Sequence, residues 1–225
     1  MQFSYYGHSC FSIMINGKSL LFDPFISPNP LAQEINISDI QADYILVSHG
    51  HEDHIADCVS IALRTKATVI SNWEICNWLQ SKGIEKTIPM NIGGKKIFEF
   101  GILKCVIAQH SSSLPDGSYG GNPMGFLIQS DKTIYYSGDT ALSLDMQLVA
   151  QDGPLNWAIL PVGDHFTMGY EDAAKAAHMI QSSEVIGVHF NTFPYIAIDQ
   201  ENAVNYFKKN GLNLTLPEIG KTIDL

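Results

Sequence analysis
The chain has 225 residues, 45% of them hydrophobic and 16% charged, the composition of a globular protein with ample material for a core. Its 23 acids against 13 bases give a formal net charge of −10. That balance argues against broad nucleic-acid binding through phosphate contacts and against docking on an anionic membrane surface. The length fits a single α/β domain spanning 1–225. Four cysteines, Cys10, Cys58, Cys76 and Cys105, stand singly with no C-x-x-C pair, so zinc-ribbon and thioredoxin chemistry have no support. The first residues carry neither a basic leader nor an apolar signal core, and no apolar run is long enough to span a bilayer. The expected location is therefore the cytoplasm, with reduced thiols.

Residues 1–25 read as β structure. Phe11–Ile15 and Ser19–Phe22 flank Asn16-Gly17, the favoured pair for a tight hairpin turn. His8, in Gly7-His8-Ser9, reads equally as a satisfied structural histidine or as a pocket residue. Asp23, in Asp23-Pro24-Phe25, reads as a turn aspartate or as an acid that orients a nearby histidine loop. Ile26–Asp39 has no periodicity and reads as a loop, a pocket rim. Asp43–Val47 is a short apolar run, consistent with a buried strand. Directly after it, Ser48-His49-Gly50-His51-Glu52-Asp53-His54 packs three imidazoles and two carboxylates into seven residues. Ile55, Val59, Ala62 and Leu63 then follow at helical spacing, so one helix is expected from Asp53 to Arg64. The histidines thus sit where a strand hands over to a helix, the place where open α/β folds put reactive groups. Neutral imidazole is the commonest metal ligand, and an adjoining carboxylate suits a divalent ion. Two ions would need more ligands than this loop holds, and these must come from other strand ends.

The rest of the chain offers them. A strand is expected at Ala67–Ile70 and a helix from Asn72 to Ser81, ended by Gly83. Trp73 and Trp78 read as core. Lys95–Phe100 and Ile102–Ala108 read as strands meeting at Gly101, and the second runs into His110. The loop Pro115–Gly121 lacks the G-x-x-x-x-G-K-[ST] pattern, so a phosphate-cradling loop is not supported. Met124–Gln129 and Thr133–Tyr136 form another hairpin, which ends at Ser137-Gly138-Asp139-Thr140. A helix over Ala141–Ala150 and a strand over Trp157–Leu160 follow. That strand leads to Asp164-His165-Phe166. Glu171–Ile180 is a helix in which His178 is a surface or structural residue. Val185–Val188 is a strand ending at His189-Phe190-Asn191. Asp199 caps a last helix to Lys209, Gly211 ends it, and two short strands close the chain. Strand exits therefore deliver the first histidine group, then His110, Asp139 and His189. Strand–loop–helix units recur in both halves without a strict sequence repeat.

The element His49-x-His51-x-Asp53-His54, followed in order by His110, by Asp139 in Gly-Asp-Thr and by His189, resembles the signature of the metallo-β-lactamase superfamily. Asp23 resembles its first motif. Gly7-His8-Ser9, the Asp23 and Asp139 motifs, His165–Gly169 and His189–Pro194 further resemble a branch of metal-dependent hydrolases similar to sugar-phosphate lactonases. Asp164 stands where that resemblance implies a small residue. The fold implied is a four-layer αββα sandwich. The site implied is dinuclear: His49, His51 and His110 on one ion, Asp53, His54 and His189 on the other, Asp139 bridging. The cofactors implied are two divalent ions, zinc first, with manganese or iron as alternatives. A shared hydroxide would cleave a small ester, lactone or phosphodiester. Asp53 is the candidate proton acceptor, and His165 is a second catalytic candidate. His8, His165 and Asn191 are candidate substrate contacts. The expected partner is a small-molecule substrate, with no nucleic acid or membrane and with homo-oligomerisation open. Alternative readings are an RNA-processing nuclease, disfavoured by the acidic charge, and a di-iron redox protein, which would carry a flavin domain that this chain has no room for.

Overall fold
The computed structural model describes residues 1–225. Six strands open the chain: β1 (Gln2–Gly7), β2 (Cys10–Ile15), β3 (Lys18–Phe22), β4 (Tyr44–Leu46), β5 (Thr68–Ser71) and β6 (Thr87–Pro89). Seven more form the second half: β7 (Lys95–Phe98), β8 (Gly101–Ile107), β9 (Met124–Gln129), β10 (Thr133–Tyr136), β11 (Trp157–Pro161), β12 (Glu184–Val188) and β13 (Asn213–Thr215). The last strand, β14 (Thr222–Asp224), returns to the first half and pairs with β1. Helices α1 (Glu52–Ile55), α2 (Cys58–Thr65) and α3 (Trp73–Ser81) interleave the first set. Helices α4 (Gln147–Ala150), α5 (Tyr170–Met179) and α6 (Gln200–Lys209) interleave the second.

The strands make two seven-stranded sheets, ordered β14-β1-β2-β3-β4-β5-β6 and β13-β12-β11-β10-β9-β8-β7. Both follow one plan. Counted from β14, the first sheet has three antiparallel pairings and then three parallel ones. Counted from β7, the second sheet has the same sequence of pairings. The recurrence expected from the sequence is thus a repeat of topology. In it β3 corresponds to β10, β4 to β11 and β5 to β12.

Alternating side chains divide the apolar residues into three layers. Phe11, Phe22 and Leu46 of the first sheet meet Phe126, Tyr136 and Ile159 of the second in the central layer. The opposite faces carry Ile45, Val47 and Val69 against α1 to α3, and Leu127, Tyr135 and Leu160 against α5 and α6. This is an αββα sandwich, with both faces of each sheet covered as parallel strands require. Four alanines of α5, Ala173, Ala174, Ala176 and Ala177, face the sheet and allow close approach. The hairpin between β2 and β3 turns on Asn16 (φ 49°) and Gly17 (φ 73°), both left-handed as a tight two-residue turn demands. Asp199 caps α6 by accepting from the Asn202 amide. No helix is long and apolar enough to cross a membrane.

The structure corrects the sequence reading at three elements. The helix expected over Asp53–Arg64 is broken at Asp57, which is buried and accepts from the Ile26 (2.6 Å) and Ser27 (2.8 Å) amides. Satisfying those two donors takes the acid out of a continuous helix and pins the loop after β3. Ala141–Ala150 gives only a short 3-10 turn over Leu144–Met146 followed by α4, because the Ser143 hydroxyl accepts from Asp145 and starts the helix late. Trp73 is not core. It opens α3 on the face away from Ile75, Cys76 and Leu79 and is 60% exposed. Trp78 is half-buried, and its indole donates to Asp116 at 2.7 Å. His178 is exposed on α5.

Candidate metal centre
The exits of β1, β3, β4, β8, β10 and β12 converge at one edge of the sandwich. Asp23 leaves β3 with a left-handed backbone and is fully buried. Its carboxylate accepts from four donors: the Ser48 amide (2.7 Å) and hydroxyl (2.6 Å), the Tyr136 hydroxyl (2.6 Å) and His54 Nδ1 (2.9 Å). These bonds fix both ends of the histidine loop. His54 spends Nδ1–H on Asp23, so Nε2 points inward. The Ser48 hydroxyl, already donating to Asp23, accepts from His49 Nδ1 at 3.0 Å and turns the Nε2 of that ring inward as well.

Two groups of side chains result. In the first, one nitrogen each of His49, His51 and His110 lies within 4.8 Å of the others, with His49 Nε2 and His51 Nδ1 at 3.0 Å. In the second, one ligand atom each of His8, Asp53, His54 and His189 meets the same limit. Asp139 stands between them. Its Oδ2 lies 3.0 Å from His189 Nε2, 3.2 Å from His54 Nε2 and 3.8 Å from His110 Nε2. Thr140 holds that placement, because its hydroxyl accepts from the Gln109 amide at 3.0 Å and ties the exit of β8 to that of β10. Gly138 permits it: a Cβ there would sit 2.8 Å from the Met124 carbonyl and 3.0 Å from Ser48 Cβ.

The electrostatics suit a cation. Asp23, Asp53 and Asp139 have only histidines as ion-pair partners. Burial disfavours charge on Asp139, but His189 and His54 overcome it and hold the carboxyl well below the usual range. Burial also opposes ionisation of Asp53, and His54 together with the hydrogen bond from His8 outweighs it. Burial likewise disfavours a charged His54, yet Asp139, Asp53 and Asp23 raise its pKa well above that of an ordinary histidine. Burial and neighbouring His54 keep His49 neutral. Three atoms of the cluster, His54 Nε2, His189 Nδ1 and Asp139 Oδ1, are buried with no hydrogen-bond partner. Buried polar atoms without partners are costly, and a cation is what this donor set would satisfy. The cluster opens to solvent on one side, where the side chains of Asp53 and His110 are 29% and 15% exposed.

The other expected residues do not line the open side as substrate contacts would. His8 belongs to the second group but is 1% exposed, with its ring hydrogen-bonded behind Asp53. Asn191 uses its side-chain oxygen on the Ile198 amide at 2.9 Å, which closes its own loop. Both border a groove of about 320 Å³ shared with Leu31, Phe190 and Gln200. His165 is exposed and stacks on Tyr195 with centroids 5.1 Å apart. The sequence reading passed over Ser48, Tyr136, Thr140 and Asp57. Ser48 and Thr140 adjoin ligand candidates and could have been noticed. Tyr136 and Asp57 act across the fold and carried no local signal. Six of the nine non-glycine residues with positive φ (His8, Asp23, Asp164, His165, His189 and Asn191) follow β1, β3, β11 or β12 at this edge, in keeping with the tendency of backbone strain to collect at functional sites.

Residues 2–189 match the model of the β-lactamase superfamily domain. A protein from Methylacidiphilum infernorum, named a UPF0173 metal-dependent hydrolase, is 47% identical over the whole of both chains. The chain belongs to this hydrolase family of the metallo-β-lactamase superfamily. Among solved structures, the metallo hydrolase Igni18 from Ignicoccus hospitalis superposes with a TM-score of 0.89 at 33% identity, covering 99% of this chain and 97% of that one. An isothiocyanate hydrolase from Delia radicum gut bacteria shares the fold with a TM-score of 0.80 at 18% identity, covering 100% and 99%.

Proposed function
We propose that this protein is a hydrolase of a small ester, lactone or phosphodiester, acting through two divalent ions. His49, His51 and His110 would hold one, Asp53, His54 and His189 the other, with Asp139 between them. The observation that carries the reading is the reach of Asp139 Oδ2 to histidines of both groups, at 3.0, 3.2 and 3.8 Å. Ions held there would acidify a water and neutralise charge developing on the electrophile. Imidazole-rich coordination suits zinc, and the carboxylates also accept manganese or iron.

The residues of the chain do the rest. Asp53 is the more open of the two acids, with its side chain 29% exposed against 3% for Asp139, which supports it as the acceptor of the proton of an attacking water. Asp23 locks the rings of His54 and, through Ser48, His49, so the ligand set is preorganised. His165, at the rim, contacts the substrate or leaving group, and Asn191 keeps its amide NH2 for a polar contact. All four cysteines are free and buried, in keeping with a cytoplasmic protein. The whole chain acts as one hydrolase unit on a small molecule.

The test is a panel of lactones, phosphodiesters and thioesters offered to protein stripped of metal and reloaded separately with zinc, manganese and iron. Two ions per chain and chelator-sensitive hydrolysis of one substrate class are expected. Absence of bound transition metal after every loading would overturn the reading.

A further inference from the structure
His8 is held more tightly than a packing residue requires. It leaves β1 with a left-handed backbone (φ 56°), a conformation that is strained for a residue other than glycine. Its main-chain oxygen accepts from the His189 amide and from the Tyr5 hydroxyl, both at 2.8 Å. Its ring packs on that of His189 with centroids 4.1 Å apart. Both ring nitrogens are engaged: Nδ1 is 3.0 Å from Thr192 Oγ1, and Nε2 is 3.1 Å from Asp53 Oδ2. A carboxylate only accepts, so Nε2 carries the proton. With the proton on Nε2, Nδ1 is left as the acceptor for the Thr192 hydroxyl. The other acceptor near that hydroxyl, the Phe190 carbonyl, is farther away at 3.5 Å.

We propose that His8 is a positioning residue for the second cation. Through Nε2–H it fixes the Asp53 carboxylate, and through its main-chain oxygen it fixes the backbone of His189. This rests on the two-ion reading above and names what sets the geometry of one half of it. One residue at the exit of β1 thereby holds two of the three residues assigned to that ion, and Thr192 holds its tautomer. His8 also falls within the 4.8 Å ligand group, but a ring that donates Nε2–H to a carboxylate has no lone pair left there for a metal.

The experiment is a cobalt titration of metal-free wild type, His8→Leu, His8→Gln and Thr192→Val, with d–d absorption and chelator competition reporting each ion. All His8 variants bear the same left-handed cost, so Leu against Gln isolates the donor, because the glutamine amide can still reach Asp53. Losing an outer partner of a ligand typically weakens metal binding roughly 10–100-fold. The expected result is a loss of that order for the second ion in His8→Leu, recovery to within about threefold in His8→Gln, and an unchanged first ion. Thr192→Val, which keeps the ring, should weaken the second ion by roughly threefold to tenfold and serves if His8→Leu does not fold. Equal losses in Leu and Gln would make His8 a direct ligand and overturn the proposal, as would wild-type binding in every variant. A wild type that takes up one ion only would instead remove the two-ion reading, and this proposal with it.

Discussion

The exits of β4 and β11 are equivalent positions in the repeated sheet plan, each following the first parallel strand of its sheet. At the exit of β4, His49 is fully buried and its ring is turned by Ser48, which Asp23 holds in turn. At the exit of β11, Asp164 (φ 62°) and His165 (φ 58°) are left-handed and exposed. His165 touches aromatic neighbours: Tyr195 at 5.1 Å and 20°, Phe166 edge-on at 4.6 Å. One exit buries charge, where low dielectric makes every polar contact count. The other presents ring faces to solvent. The same scaffold position thus serves as floor or as rim, depending on whether a buried acid stands behind it.

Floor substitutions should therefore change metal content, and rim substitutions only kinetics. The largest effect is expected from Asp139→Ala, which removes the acid between the two ligand groups. Outer-partner losses alone cost roughly 10–100-fold, so metal affinity should fall by more than about 100-fold. Elemental analysis after dialysis checks it, and wild-type metal content would break the comparison. Asp23→Ala comes next. It strands His54, Ser48 and Tyr136 in a fully buried site, and removing one member of a buried charged network costs about 3–5 kcal/mol. Urea unfolding of metal-free protein should show that loss. A change under about 1 kcal/mol would mean that the network does not lock the floor.

These substitutions also mark how far the sequence could be read. The floor was legible because its first half is contiguous, His49 to His54, and the remainder sits where apolar runs end: His110, Asp139, His189. A strand exit is a local feature. The layered architecture came from resemblance, since the return of β14 to β1 and the order of strands depend on pairings far apart in the chain. The misreadings share that cause. Asp57 breaks a well-patterned helix to satisfy amides of Ile26 and Ser27, about thirty residues away. His8 was open between structural and pocket roles because its partner Thr192 is 184 residues distant. The side-chain oxygen of Asn191 is taken by its own loop, which no spacing rule reveals.

The junction of floor and rim gives a smaller effect. A Cβ on Gly163 would lie 2.1 Å from the carbonyl oxygen of His189, so the exit of β11 touches the exit of β12 directly. Gly163→Ala must push that backbone aside, and overpacking of this kind costs about 1–3 kcal/mol. Thermal unfolding should register it, together with weaker metal binding. Destabilisation without any change in metal affinity would separate rim from floor more completely than the contact implies.

The smallest and most selective effect belongs to His165. Its ring stack on Tyr195 has the geometry of an aromatic pair, worth about 1 kcal/mol, or about a fivefold change in kcat/KM if a substrate uses the same face. His165→Ala should lower kcat/KM by that order with metal content unchanged. His165→Gly should do the same and also unfold at higher urea, because glycine relieves a left-handed backbone that costs other residues about 1 kcal/mol. The pair separates the two roles of one position: equal kinetics with unequal stability shows a strained backbone holding a ring for use. Metal loss in either variant would move His165 from the rim to the floor, and equal stability would show that the loop carries no strain there.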